Sequence, residues 1–466
     1  MVYNKDKLFF TIKRHMCSYL PYIVDISGFD WNYNEFEDYV VHTIKIYTEL
    51  FGRKEINYDI IYCLKELLVN ADRANSKRIY FKLKNLNLEN EEEYKKGMKN
   101  FKKDFQDKYN FYRKRQKDDN YWIKVVFHTY KNNFFIFIIN NAPMTNNEFA
   151  RITKRINEAR NFNSNSDIYN SLDMSEGAGF GIIIVMLMIK KMGFKNDSFN
   201  INIKDNKTIA RVTLPISKNF DNHINEILNI ISNSNYLDYF NNNLKNMIDK
   251  KEISKNTLYE DLITNPFFSF NKILLNKDVD SIIEYYNTID LNEMNIFTDQ
   301  SNNYYVDFLK NNAKIVKILF KYVLKINDTD RIYKMMSYSV LSGLSLLILN
   351  FNKDYFYNKI KNETNININL LDLIFNGYAY EYITAKLLEK LNFPSALLKA
   401  VNSFKAYRKN NLDLNIMYLA YLINKINNEE LYVSDLEDKN KFSLILNISD
   451  KESIDNLLNS IKDILN

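Results

Sequence analysis

Three clusters along the chain carry residue types that could act on a phosphorylated ligand. In the first, Glu66-Leu-Leu-Val-Asn70-Ala71, a carboxylate and an amide stand four residues apart. On a helix that spacing puts both on one face. Such a pair can hold a metal-bound water and a Mg²⁺ ion, which prefers oxygen ligands and usually binds together with substrate phosphates. The second cluster is Asn140-Asn141-Ala142-Pro143-Met144, at the end of an apolar run. The third is Glu176-Gly177-Ala178-Gly179-Phe180-Gly181, ahead of an apolar segment. Glycines let a backbone approach phosphates closely, and a helix N-terminus adds free N–H groups and positive potential. Each cluster alone is weak, since a Gly-x-Gly-x-Gly can be a tight turn and a helical Glu-x-x-x-Asn a solvated pair. Their order and context carry more.

The elements that must position these residues follow from hydrophobic period. Residues 1–56 carry apolar positions at helical spacing (Phe36, Tyr39, Val40, Ile44, Tyr47, Leu50) and predict two helices. Asn57 to Ala74 predicts an amphipathic helix with Ile60, Ile61, Leu64, Leu67 and Leu68 inward, capped by Asn57. Arg78 to Lys84 alternates and predicts a strand. Residues 86–120 are densely charged and predict a solvated helical insertion. Within it, KYNFYRKRQK interleaves cations with aromatic rings, as a nucleic-acid contact would, but interspersed acids favour a solvated helix. Strands are expected at 122–130, 134–140, 199–204 and 208–214, with helices at 147–160 and from the glycine cluster to Met192. This order predicts an α+β sandwich with helices on one face. Beyond residue 216 the pattern is helical almost throughout.

Composition bounds the remaining choices. In 466 residues, 46% are hydrophobic and 15% aromatic, enough for large cores and incompatible with global disorder. Nine Gly and five Pro exclude collagen-like and turn-dense all-β architectures. Two cysteines, Cys17 and Cys63, cannot build a disulfide scaffold or a Cys-based zinc site, and point to a reduced, cytoplasmic compartment. Four histidines argue against a His-rich metal centre, and a mixed net charge of +6 argues against nucleic acid as the partner. The longest apolar run, Phe180 to Ile189, is well short of the ~20 residues of a membrane span. The opening MVYNKDKLFFTIKRHM lacks a small-residue cleavage site after a long apolar core, which argues against a secretory signal.

Taken together, residues 50–216 resemble the histidine-kinase-type ATPase superfamily of sensor kinases, gyrase B, heat-shock chaperones and mismatch-repair ATPases. Glu66, Asn70 and Ala71 resemble its N-box, and Gly177, Gly179 and Gly181 its glycine box. Lys207-Thr208 resembles the position whose Thr lies near adenine. The resemblance implies ATP, or another nucleoside triphosphate, with Mg²⁺. It implies Asn70 as the Mg²⁺ ligand, Glu66 as general base if water is activated, and residues 145–176 as a lid. One departure stands out. Where the family has an Asp accepting the adenine amino proton, this chain has Asn140, followed by Ala142 and Met144 in place of glycines. An Asn can turn its carbonyl to an amino donor, or its amide to guanine O6, so relaxed base selectivity is an expectation. A phospho-accepting His is not evident, because the sequence around His42 does not match the sensor-kinase hairpin.

Residues 256–430 resemble a diverged HDOD domain, the output-type relative of HD phosphohydrolases. The likeness rests on Thr264-Asn265-Pro266-Phe267, Leu341 to Leu347, Gly377 to Ala385, Asn392-Phe393-Pro394 and Ala400 to Lys405. The family's His and Asp metal positions are here Ser342, Gly343, Tyr380, Phe404 and Lys405, which do not suit a hydrolytic metal centre. The expected organisation is a helical extension at 1–50, the ATPase-like sandwich at 51–216, a helical connector at 217–255, an all-α HDOD-like domain at 256–430 and a tail at 431–466. The expected function is a cytoplasmic signalling protein that binds Mg-nucleotide and relays its state to a protein partner. A scaffold without ligand, a slow ATPase or anti-sigma-type protein kinase, and a homodimer all stay open.

Overall fold

The computed structural model describes residues 5–25, 33–161, 180–234, 303–390, 395–405, 411–432 and 451–465. The chain divides into two compact units, Met1–Ile12 with Pro21–Lys218, and Lys13–Leu20 with Asn219–Asn466. Among the described residues no single helix is long and apolar enough to cross a membrane.

The first unit is built on an antiparallel sheet of five strands in the order β1-β2-β3-β5-β4. These are β1 (Tyr22–Asp25), β2 (Ile123–Tyr130), β3 (Asn133–Asn140), β4 (Phe199–Lys204) and β5 (Lys207–Pro215). In β2, β3 and β5 alternate residues are buried, as expected for a sheet with one face against a core. The helices of this unit are α1 (Lys5–Ser18, in part), α2 (Tyr33–Leu50), α3 (Asn57–Leu83), α4 (Glu91–Asp107), α5 (Tyr109–Asp118), α6 (Asn146–Asn161) and α7 (Phe180–Lys191). Tyr47 of α2 stacks on Phe127 and Phe134 of neighbouring strands, with ring centroids 5.5 and 4.6 Å apart. Four of the expected strands form as expected, and β1 is an addition: the expectation of two helices over 1–56 missed its pairing with β2. Four residues of YIVD are too few for alternation to stand out from helical spacing.

Two expectations are corrected. Residues 78–83 are not a strand but the last turns of α3, which runs 27 residues. Ile79, Tyr80 and Phe81 are all buried in succession, which no one-faced strand would show. The insertion at 86–120 is not simply solvated. Its helices α4 and α5 wrap the end of α3 and form a core of Tyr94, Phe101 and Tyr112 with Ile79, Tyr80 and Phe81. Gly97 permits this: a Cβ there would lie 2.5 Å from the Phe81 ring. The helix start is set by Asn90, whose side chain accepts from the backbone N–H groups of Glu92 and Glu93. A short helix segment surrounded on several sides stays helical through packing rather than through its own period.

The second unit is mostly helical in its described residues: α8 (Phe220–Ser232), α9 (Asn303–Ile318), α10 (Thr329–Leu341), α11 (Leu344–Phe351), α12 (Lys353–Glu363), α13 (Ile368–Phe375), α14 (Tyr380–Lys390), α15 (Ser395–Val401), α16 (Leu412–Asn427) and α17 (Lys451–Leu465). Thr264–Phe267 and Asn392–Pro394 lie outside the described residues.

Phe81→Ala should cost about 3–5 kcal/mol by opening a cavity at this wrapped helix end. Hydrogen exchange is expected to speed up across 91–118 while amides of β2 and β3 stay protected; uniform exchange across the unit would contradict the wrapping described here.

Candidate functional site

Side by side, α3 and α7 form the helical wall over the sheet, and Cys63 of α3 approaches the carbonyl of Val185 in α7 at 3.8 Å. Gly181, in the first turn of α7, faces α3. A Cβ on it would lie 2.6 Å from Glu66 Oε2 and 3.3 Å from Asn70 Nδ2. A larger residue here would have to displace the Glu66 carboxylate, and the close approach brings the first and third clusters together. Glu176, Gly177 and Gly179 lie outside the described residues, as do positions 162–176 of the expected lid. The described part of that lid is α6.

A cavity of about 190 Å³ opens between α3, α6, α4 and the sheet. Asn70, Asn140 and Thr208 all line it, together with an apolar floor that includes Leu67, Ala71, Ile138, Ile182 and Ala210. Glu66 is not among the lining residues and stands half-buried beside Gly181. Three stretches separated by up to 138 residues thus meet at one cavity, of which Asn140 and Thr208 are direct cross-strand partners at the ends of β3 and β5.

The second cluster is held by a small hydrogen-bond knot. Thr208 Oγ1 donates to the Ala142 carbonyl at 2.8 Å. Asn140 Nδ2 donates to the same carbonyl at 3.3 Å and to Asn75 Oδ1 at 3.1 Å. A backbone carbonyl can only accept, so it sets the orientation of the Asn140 amide. With its N–H groups engaged, Asn140 keeps Oδ1 as its remaining side-chain acceptor. The sequence left the amide free to face either way; its neighbours choose the carbonyl. Asn75 was not foreseen. It is buried on α3 and in turn donates to Gln116 Oε1 of α5 (3.5 Å) and the Trp122 carbonyl (3.4 Å). Gln116 donates to Asp72 Oδ1 (2.7 Å) and Ser76 Oγ (2.8 Å), and Arg113 reaches Asp72 at 3.2 Å. The basic face of α5 is thus partly engaged with α3.

At the other end, Glu148 of α6 receives Lys77 and Arg78 of α3. Arg78 contacts it with both terminal nitrogens, at 3.1 and 2.5 Å, and also donates to the Pro143 carbonyl at 2.6 Å. Burial raises the Glu148 pKa, but the two cations outweigh it and hold the carboxyl down at about 2. Burial likewise lowers the Lys77 pKa, opposed by Glu148. Reading 78–84 as a strand concealed this group. Extending the helical stripe of Glu66 and Asn70 through Arg73 and Lys77, at i, i+4, i+7 and i+11, would have exposed it.

Asn70 lines the cavity and carries an amide oxygen, a ligand type that suits a Mg²⁺ ion. Mg²⁺ needs few protein ligands when phosphates and waters complete the shell. Among the described residues no group of three or more His, Cys, Asp or Glu could hold a metal by itself.

In the helical unit, the positions compared with a metal centre gather around a buried ion pair instead. Lys405 Nζ lies 3.1 Å from Glu381, each side chain 1% exposed. It donates to the carbonyls of Gly377 (3.2 Å) and Cys17 (3.3 Å) and sits 3.8 Å from the Tyr380 ring centroid. Burial lowers its pKa, opposed by Glu381. Ser342 Oγ donates to the Ser339 carbonyl, and Gly343 backs onto Leu309. His42 is half-buried on α2.

The chain is 36% identical over 178 residues to an uncharacterized protein of Treponema pallidum (strain Nichols). The match covers 38% of this chain and 35% of that protein, so this chain spans about a third of the relative's length. No family model matches the chain, and no solved structure matches it.

Because the Glu148 carboxyl is held at about 2 against about 4.5 when unfolded, its contribution is complete above pH 4.5 and lost as pH falls toward 2. Glu148→Gln should remove about 3 kcal/mol of acid dependence over that window. Urea unfolding of both proteins at pH 7 and pH 3 checks this, the expected outcome being a gap that narrows at pH 3. Gly181→Val, which crowds Glu66 and Asn70, should weaken ligand binding at the cavity in calorimetry with the fold kept by circular dichroism.

Proposed function

We propose that the first unit is a nucleotide-binding domain of the histidine-kinase-like ATPase type, that its ligand is Mg-ATP, and that the protein serves in signal transduction. The observation that carries this reading is the convergence of Asn70, Asn140 and Thr208 on one cavity, with Gly181 packed against Glu66 and Asn70. The site would work by division of labour. Apolar walls from Leu67, Ala71, Ile138 and Ala210 would flank a flat base. Asn140 Oδ1 would accept from the base's exocyclic amino group, with Asn75 and the Ala142 carbonyl holding the amide. Asn70 would hold Mg²⁺, which neutralises phosphate charge when bound. Glu66, one turn earlier, would orient or deprotonate a water if hydrolysis occurs.

The orientation of Asn140 sharpens base choice. A purine with a 6-amino donor pairs with Oδ1, whereas guanine O6 would face another acceptor. Adenine is therefore favoured over guanine, against the relaxed selectivity that a freely turning amide allows. The helical unit, with a buried Lys405–Glu381 pair at the compared positions, is proposed as a non-catalytic HDOD-like relay to a protein partner.

Calorimetry with Mg-ATP, Mg-ADP and Mg-GTP on the full chain and on Asn70→Ala tests the reading. Micromolar Mg-ATP binding, lost in Asn70→Ala and at least about tenfold weaker for Mg-GTP, is expected. No heat with any nucleotide on folded protein would leave a ligand-free scaffold. Turnover lost in Glu66→Ala, with binding retained, would make the protein an ATPase or kinase rather than a binding switch.

A further inference from the structure

The cavity does not end at Asn140. Its far end is lined by Lys77 and Arg78 from α3 and by Arg151 and Arg155 from α6, and among its lining residues Glu148 is the sole carboxylate. Lys77 lies seven residues beyond Asn70, about 10 Å along the helix. A group bound there is therefore not the one beside Asn70.

The charges at this end do not balance. Glu148 has both oxygens engaged. One takes Lys77 and Arg78, and the other takes Arg78 and the backbone N–H of Thr145 at 2.9 Å. Glu158 answers Arg155 at 3.1 Å. Among the described residues Arg151 has no such answer. Its guanidinium lies 4.4 Å from the ring centroid of Tyr94, and Nη1 is buried without a hydrogen-bond partner among those residues. Glu148 cannot serve it, being already shared. Lys77, Arg78 and Arg151 thus stand against one carboxylate, and Arg73 lines the same cavity, so cations outnumber the carboxylate here.

An unmade hydrogen bond at a buried donor is unfavourable, the more so for a charged group, and gathered cations repel one another. Both costs disappear if an anion enters. We propose that this end of the cavity is a phosphoryl-binding subsite, with Arg151 as its principal donor and Lys77 and Arg78 as its charge complement. A phosphate dianion answers an excess of several cations better than a singly charged carboxylate does. The planar guanidinium can engage two of its oxygens side by side, with the Tyr94 ring packed against it. The inference uses the same cavity as the nucleotide reading but does not depend on base recognition. Two sources share this chemistry: the nucleotide itself, or a second phosphate-bearing molecule bound beside it.

The test is calorimetry of the full chain with inorganic phosphate, at ionic strength held constant with chloride, in the presence and absence of Mg-ATP. The wild type should bind phosphate. Arg151→Gln should weaken that binding about tenfold or more, and Arg151→Lys should lose less. Phosphate affinity unaltered by saturating Mg-ATP assigns the subsite to a second molecule; mutual exclusion assigns it to the nucleotide. A wild type that binds phosphate no better than chloride, or an Arg151→Gln protein that binds it equally well, overturns the proposal. Phosphate binding without any nucleotide binding would sink the nucleotide reading and leave this one standing; the reverse pattern would do the opposite.

Discussion

Helix α3 has to stay helical for 27 residues, and the first unit depends on that constraint. Its first half supplies Glu66 and Asn70 and packs against α7. Its middle supplies Asn75, which orients Asn140. Its last turns supply Lys77 and Arg78. No amphipathic period sustains the helix over this length, because Ile79, Tyr80 and Phe81 are buried on adjacent faces. What sustains it is the collar of α4 and α5, with Gly97 letting a backbone pass against Phe81 and with Gln116 bound to Asp72 and Ser76. The insertion is thus a structural requirement of the cavity, and it also contributes Tyr94, Met98 and Phe101 to the cavity wall.

A second constraint is polar satisfaction at the end of the sheet. The Ala142 carbonyl accepts from Thr208 and Asn140, and Asn75 accepts from Asn140 while donating to Gln116 and Trp122. Buried donors and acceptors are expensive to leave unmatched. Each member of the knot is therefore limited in how it can turn, and that Asn140 keeps Oδ1 as its remaining acceptor follows from that limit. The same reasoning, applied at the opposite end, singles out Arg151 as the group whose demand the described residues do not meet.

In the helical unit a cation is buried without any metal ligand set among the described residues. Lys405 is held by Glu381, two carbonyls and the face of Tyr380. Removing one partner of such a pair costs more than the pair contributes, because the other is left charged in an apolar surrounding. That makes the cluster a structural commitment of the core.

The local pattern was enough for strands β2 to β5 and for most of the helices, because alternation and helical period are properties of a few consecutive residues. It also singled out Asn70, Asn140 and Thr208, which the structure brings to one cavity, and Gly181, which packs beside Asn70. It could not show β1, since four residues carry too little period, nor the helical state of 78–83, since Ile79, Tyr80 and Phe81 are buried against residues as distant as Tyr112. The direction of the Asn140 amide rests on partners at 75 and 142, and the excess of positive charge rests on Lys77, Arg78 and Arg151 meeting from helices far apart in sequence. Those are distances and orientations, and only the packing of α3 between the sheet, α6 and the α4–α5 collar determines them.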